Sequence, residues 1–211
     1  MEASFSSVSF SDSPSVIMDW KSRWEIKMGK LPYDLYAVGH SNRTLEFFVS
    51  LLLGYGITHL IDVRTLPRSR HNPQFNRESL PENLKKVGIA YTHMPGLGGL
   101  RRPQKDSPNA GWKNSSFRGY ADYMQTDEFR ENLERLIASA KKETIVFMCA
   151  EALPWRCHRS LIADALTVRG IPVHQIMSRV SAPLHQVTSW AKVEGLRITY
   201  PVDVRQQEFT L

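Results

Sequence analysis

A chain of 211 residues, 42% hydrophobic and 23% charged, can bury a sizeable core and fits one soluble globular domain plus tails. No apolar run approaches the roughly 18 residues of a membrane helix, and the serine-rich start lacks the basic-then-apolar order of a secretory signal, so a cytoplasmic protein with no membrane partner is expected. Two cysteines give no disulfide framework in a chain this long, and a formal net charge of +6 favours an anionic partner: a small molecule, a nucleotide or a nucleic acid.

Residues 1–30 carry serine at nearly every second position without an apolar partner set, and read as a disordered or extended tail. Trp20, Trp24, Ile26 and Met28 follow as a short docking helix or a loose extension. One α/β domain is expected over 31–200, with a C-terminal tail at 201–211. Leu35-Tyr-Ala-Val reads as a strand ending in Gly39-His40-Ser41. Thr44 then caps a helix whose apolar face is Leu45, Phe47, Phe48, Leu51 and Leu52. His40 either reaches a ligand or hydrogen-bonds backbone to hold the turn, and the amides at the helix start suit an anion.

His59-Leu-Ile-Asp-Val-Arg is a second strand whose charged end places Asp62 and Arg64 on one face. The donor-rich loop after it offers Arg68, Ser69 and Asn76 to clamp a planar or anionic substrate and Phe75 to stack on it. A helix from about Arg77 to Lys86 stops at Gly88. Ile89–His93 reads as a third strand and Pro95-Gly-Leu-Gly-Gly as a tight turn, which is no dinucleotide fingerprint. The basic stretch from Leu100 to Phe117 holds Trp112 and Phe117 among Arg101, Arg102, Lys105 and Lys113, a mixture suited either to stacking on bases beside phosphates or to a flap that packs on the domain.

A helix begins at Arg118, with Tyr120 and Tyr123 offering hydroxyls to the pocket or joining the core. Thr126 caps another, carrying Phe129, Leu133, Leu136 and Ile137 inward. Ile145-Val-Phe-Met is a buried strand. After it a loop gathers Cys149, Glu151, Arg156, Cys157, His158 and Arg159, and a helix through Ala163, Leu166 and Val168 closes on Gly170. Ile171–Ile176 is a final strand, and Leu196–Tyr200 a possible further one. The alternation predicts a mainly parallel sheet of about five strands with helices on both faces, a Rossmann-like three-layer sandwich. Right-handed crossovers then set His40, Asp62, Arg64 and the cysteine loop along one sheet edge.

Gly39-His40-Ser41, Asp62-Val-Arg64 with Pro67-Arg-Ser-Arg, Phe75-Asn76, Pro95-Gly-Leu-Gly-Gly, Phe117-Arg-Gly-Tyr-Ala-Asp-Tyr-Met, Cys149-Ala-Glu and Cys157-His-Arg together resemble the family catalogued as domain of unknown function 488. They keep their order over roughly residues 33 to 176. That resemblance implies no activity; it implies that these motifs are shared features of the family. A more distant likeness joins Leu60-Ile-Asp-Val-Arg and the strand ending at Cys149 to the rhodanese and tyrosine-phosphatase arrangement, where a strand-end cysteine sits in an anion cradle at a helix start. Here the loop is longer, with Pro154, Trp155 and an acidic Glu151.

A cysteine near Arg156, His158, Arg159 and a helix start has its thiolate favoured, so Cys149 or Cys157 is a candidate nucleophile, against the alternative of a small buried hydrophobe. Glu151 and His40 are candidate general acid and base, with Ser41, Asp62, Arg64, Arg68, Ser69, Phe75, Asn76, Tyr120 and Arg159 toward substrate. Cys149-Ala-Glu151 with Pro154-Trp-Arg-Cys157-His158 superficially resembles the zinc deaminases. Both halves share one loop, however, and the third ligand would have to come from His40, so no metal or cofactor is expected. The expected function is an enzyme acting on an anionic or nucleobase-containing substrate. The alternatives are a nucleic-acid-binding module using the 101–118 loop and a Cys149/Cys157 redox pair.

Overall fold

Five short apolar runs become the parallel strands of a single sheet: β1 (Leu35–Gly39), β2 (His59–Asp62), β3 (Ala90–His93), β4 (Ile145–Cys149) and β5 (Val173–Ile176), in the order β3-β2-β4-β1-β5. The computed structural model describes residues 33–202; the expectations for residues 1–30 and for nearly all of 201–211 lie outside them. The central strand β4 is buried at every position, as a strand covered on both faces must be. Its side chains alternate, so Ile145, Phe147 and Cys149 enter one apolar cluster while Val146 and Met148 enter the other.

Helices α1 (Leu45–Gly54) and α2 (Leu80–Lys85) cover one face through Phe48, Leu51, Leu52, Leu80 and Leu84. Helices α3 (Ser115–Tyr123), α4 (Asp127–Ala140) and α5 (Arg159–Val168) cover the other, with Phe129, Leu133, Leu136 and Ile137 pointing inward as their spacing predicts. This is an α/β fold of the Rossmann-like three-layer kind. Thr44 and Thr126 cap α1 and α4, each hydroxyl accepting the amide three residues on at 3.2 Å. Gly88 and Gly170, both at φ +77°, reverse the chain after α2 and α5. Among the described residues, no helix is long and apolar enough to cross a membrane.

Three elements differ from their sequence expectation for identifiable reasons. Helix α2 starts at Leu80 instead of Arg77, because Pro81 has no N–H to give Arg77 and tolerates only the first turn. Helix α3 starts earlier than Arg118, since Asn114 accepts from the amides of Ser116 at 2.9 Å and Phe117 at 3.4 Å. The possible strand near residue 198 is real as β7 (Arg197–Thr199), but it pairs only with β6 (Lys192–Glu194) in a separate antiparallel hairpin.

The long basic segment before α3 is tied down. Buried Asp122 accepts from the Gln104 amide at 2.8 Å, the Ser107 hydroxyl at 2.6 Å and the Asn109 side-chain amide at 2.7 Å. Trp112 packs with Phe117, Trp190 and Tyr200, and through fully buried Tyr200 these rings join the core beneath α3 to α5. The C-terminal segment is fastened likewise. Fully buried Asp164 of α5 accepts from His185 at 2.7 Å, the Thr188 hydroxyl at 2.7 Å and the Tyr200 hydroxyl at 2.8 Å. Replacing Asp122 with Ala leaves three donors unpaired, which should cost about 2–4 kcal/mol. Denaturant unfolding should show that loss, and hydrogen exchange should quicken first at residues 104–109.

Candidate functional site

Strands β1 and β4 lie side by side, with Gly39 opposite Cys149, yet the chain leaves them in opposite directions. From β1 it runs to α1 on one face and from β4 to α5 on the other, so the loops part and a crevice opens at the carboxyl ends of the strands. A cleft of about 350 Å³ lies there. His40 and Ser41 line it from β1, Arg64, Leu66, Arg68, Ser69 and Asn72 from β2, and Ala150 and Glu151 from β4. Gly39 is needed for the approach, because a Cβ there would collide with the Glu151 carbonyl and the Arg159 guanidinium.

Behind the cleft stands a buried polar network. Asp62, fully buried, accepts from the Arg64 Nε at 2.8 Å, the Arg64 Nη2 at 2.5 Å and the Tyr91 hydroxyl at 2.9 Å. Burial and the Asp62 charge push the Tyr91 phenol well up, so it stays a donor. Arg64 also donates from Nη2 to the Phe75 carbonyl at 2.7 Å and from Nη1 to His40 Nε2 at 3.1 Å. Since arginine can only donate, His40 Nε2 carries the lone pair, and its Nδ1–H donates to the Ser41 carbonyl at 2.7 Å. His40 is therefore a neutral ring with both nitrogens engaged. Burial, with Arg64 adding to it, lowers its pKa to about 4. Phe75 is fully buried and stacks on the His40 ring at 4.3 Å, and Asn76 accepts the Ser69 amide at 2.6 Å. Asp62, Phe75 and Asn76 thus shape the cleft from behind and do not line it.

Arg159 is also fully buried. It donates to the carbonyls of Glu151 and Ala152, the latter at 2.7 Å, fastening the cysteine loop to α5. Beside it Arg43, unnoticed in the sequence although it closes the Gly39–Arg43 turn, donates to the carbonyls of Gly39 and of Met177, the latter at 3.2 Å. Burial and the Arg159 charge lower the pKa of Arg43. Among the described residues, no carboxylate lies within ion-pair distance of Arg43, Arg68 or Arg159.

The thiols occupy the other face. Both cysteines are free and buried, with sulfurs 2.8 Å apart; His158 Nδ1 is 3.7 Å from Cys157 Sγ and 4.0 Å from Cys149 Sγ. The Cys157 S–H holds Cys149 well below the usual thiol range against burial, with His158 helping; donating that proton, and burial, raise Cys157. Tyr120 is fully buried, its ring 4.9 Å from that of His158 and its hydroxyl donating to the Leu97 carbonyl at 2.8 Å. The residues expected in one pocket are thus brought into two groups. His40, Ser41, Arg64, Arg68, Ser69 and Glu151 line the cleft, and Cys149, Cys157 and His158 cluster beside Tyr120.

A parallel α/β sheet with a crevice at its switch point defines the class of this protein. More particularly, the model of the family described as "Domain of unknown function DUF488" matches residues 44–166, and the chain belongs to that family. The match takes in the Asp62, Phe75 and cysteine-loop motifs, while Gly39-His40-Ser41 lies just outside it. No curated protein and no solved structure gave a significant match.

The low His40 pKa makes stability depend on pH. The unfolded ring takes up a proton near 6.5 and the folded ring only near 4, so His40 contributes fully above about 6.5 and its contribution is lost as pH falls toward 4. The expected loss is roughly 3 kcal/mol, at about 1.4 kcal/mol per pH unit. Urea unfolding across that window should show it in the wild type, and the slope should flatten in His40→Gln.

Proposed function

We propose that the protein is an enzyme that binds an anionic, phosphate-bearing substrate in this cleft, with a nucleotide as the leading class, and uses Glu151 for proton transfer. The carrying observation is the fully buried Arg159 guanidinium, which among the described residues has only carbonyl and amide oxygens for partners and a second cation, Arg43, beside it. A charge removed from water without a counter-ion is costly, and carbonyl dipoles offset only part of that cost. An anion in the adjoining cleft supplies the remainder, and the unpaired positive charge raises the local concentration of such ligands.

The lining residues take separate roles. Arg68 is exposed and has no ion-pair partner among the described residues, so its guanidinium can contact the anion directly. Arg64 is neutralised by Asp62 and acts with His40 as a fixed wall. Ser41, Ser69 and Asn72 offer neutral polar groups for orientation. Ser41 adopts φ +53°, a left-handed conformation that a non-glycine residue keeps only when its surroundings enforce it. Its amide donates to the Ala150 carbonyl at 2.9 Å, which does enforce it. Glu151 is the acid of the lining and is exposed at the rim, where proton exchange with substrate and water is unobstructed.

Calorimetric titration with nucleoside monophosphates and the matching nucleosides, at low salt, tests the reading. The monophosphates should bind and the nucleosides should not. Arg68→Ala should weaken binding at least about tenfold, or roughly 1.4 kcal/mol. Glu151→Gln should bind the same ligand and abolish its turnover. Absence of binding by both ligand sets overturns the proposal. Oligonucleotide binding that falls steeply with salt, ignores Arg68→Ala and is lost on replacing Arg101, Arg102 and Lys105 would instead favour a nucleic-acid-binding module without chemistry.

A further inference from the structure

Independently of the cleft, we propose that Cys149, Cys157 and His158 form a binding site for a thiophilic divalent cation of the zinc class. Their three donor atoms lie within 4.8 Å of one another, brought together where the end of β4 meets the turn before α5. A tetrahedral zinc with bonds of about 2.3 Å to sulfur and about 2.0 Å to nitrogen places sulfur and nitrogen about 3.5 Å apart and two sulfurs about 3.8 Å apart. The observed sulfur-to-nitrogen separations of 3.7 and 4.0 Å are close to that geometry, the longer one needing to shorten by about 0.5 Å. The sulfurs, at 2.8 Å, must part by about 1 Å. Small side-chain rotations allow this, since one cysteine ends a strand and the other follows a 3-10 turn over Pro154–Arg156.

Two further features concern the ring that supplies the nitrogen. Among the described residues His158 Nε2 is buried without a hydrogen-bond partner, so the ring's polar contacts there are those of Nδ1 with the two sulfurs. In addition, the Pro95–Gly99 turn closes over the ring with glycine backbone: a Cβ at Gly99 would stand 3.0 Å from His158 Nδ1. The packed Tyr120 ring holds the imidazole from another side. Thiolates buried among apolar side chains need a positive partner, and a set of two sulfurs and one imidazole selects zinc-like cations over magnesium or calcium. Three protein ligands leave a fourth position for water or a substrate atom, as catalytic zinc sites do. The sequence reading looked to His40 for the third ligand; that ring is fully engaged with Arg64 and Ser41, and His158 takes its place.

The test is anaerobic titration of the reduced full-length protein with cobalt(II), followed by displacement with zinc. The expected result is one equivalent bound, with a thiolate-to-cobalt charge-transfer band, and alkylation of both cysteines slowed by the metal. Cys149→Ser and His158→Ala should each weaken binding at least tenfold, and Gly99→Ala should weaken it by pressing on the ring. Arg68→Ala and Glu151→Gln should leave it unchanged, which separates this outcome from failure of the cleft reading. No uptake by reduced protein overturns the proposal, including the case in which the pair merely cycles between dithiol and disulfide. Binding that survives Cys149→Ser does the same. Should a buried-cysteine variant fail to fold, protection from alkylation in the wild type still decides the question.

Discussion

Asp62 is the residue on which the carboxyl edge of the sheet depends. Its carboxylate is fully buried at the end of β2, and Arg64, two residues on, folds back to meet both of its oxygens. Buried ion pairs contribute little net stability compared with apolar packing, but removing one partner strands the other, at about 3–5 kcal/mol. The consequence here is geometric. Once Asp62 fixes the guanidinium, Arg64 donates from Nη1 to His40 Nε2 and from Nη2 to the Phe75 carbonyl, so one carboxylate sets positions in the loops after β1 and β2.

The second constraint is the divergence of the chain after β1 and β4. Because these neighbouring strands feed helices on opposite faces, the residues after Cys149 leave the sheet plane at once. Cys149 therefore points into the cluster beneath α3 to α5, while Ala150 and Glu151 face the crevice. Arg159 closes the loop from its far end by holding the Glu151 and Ala152 carbonyls. A ten-residue stretch thus serves two chemically different surfaces, an open charged one and a buried sulfur-rich one, without their side chains sharing a pocket.

Much of this was legible in the chain. Apolar runs of four or five residues marked the parallel strands, Thr44 and Thr126 marked helix starts, and the charged strand ends marked the edge that carries the site. Hairpin strand β6 was not legible, because Lys-Val-Glu presents one apolar residue and is exposed throughout. Nor could spacing say which basic residues are buried: Arg159 looks like a surface charge beside Arg156, yet one is fully covered and the other exposed. The basic loop read as a candidate flap because its anchor, Asp122, lies within a later helix and pairs with it only in three dimensions.

The gathering of His158 with the two sulfurs shows why such clusters resist reading from spacing. Counted along the chain, His158 adjoins Cys157, and neighbouring residues seldom turn both side chains toward one point. The short 3-10 turn at Pro154–Arg156 changes that by doubling the loop back on β4, so that Cys157 meets Cys149 and the first turn of α5 swings His158 alongside. Pro154 favours the turn because its fixed φ suits a helical start and its missing N–H would be unsatisfied there anyway. The proline that made the loop look unlike a compact anion cradle is thus the residue that gathers the two thiols and the imidazole.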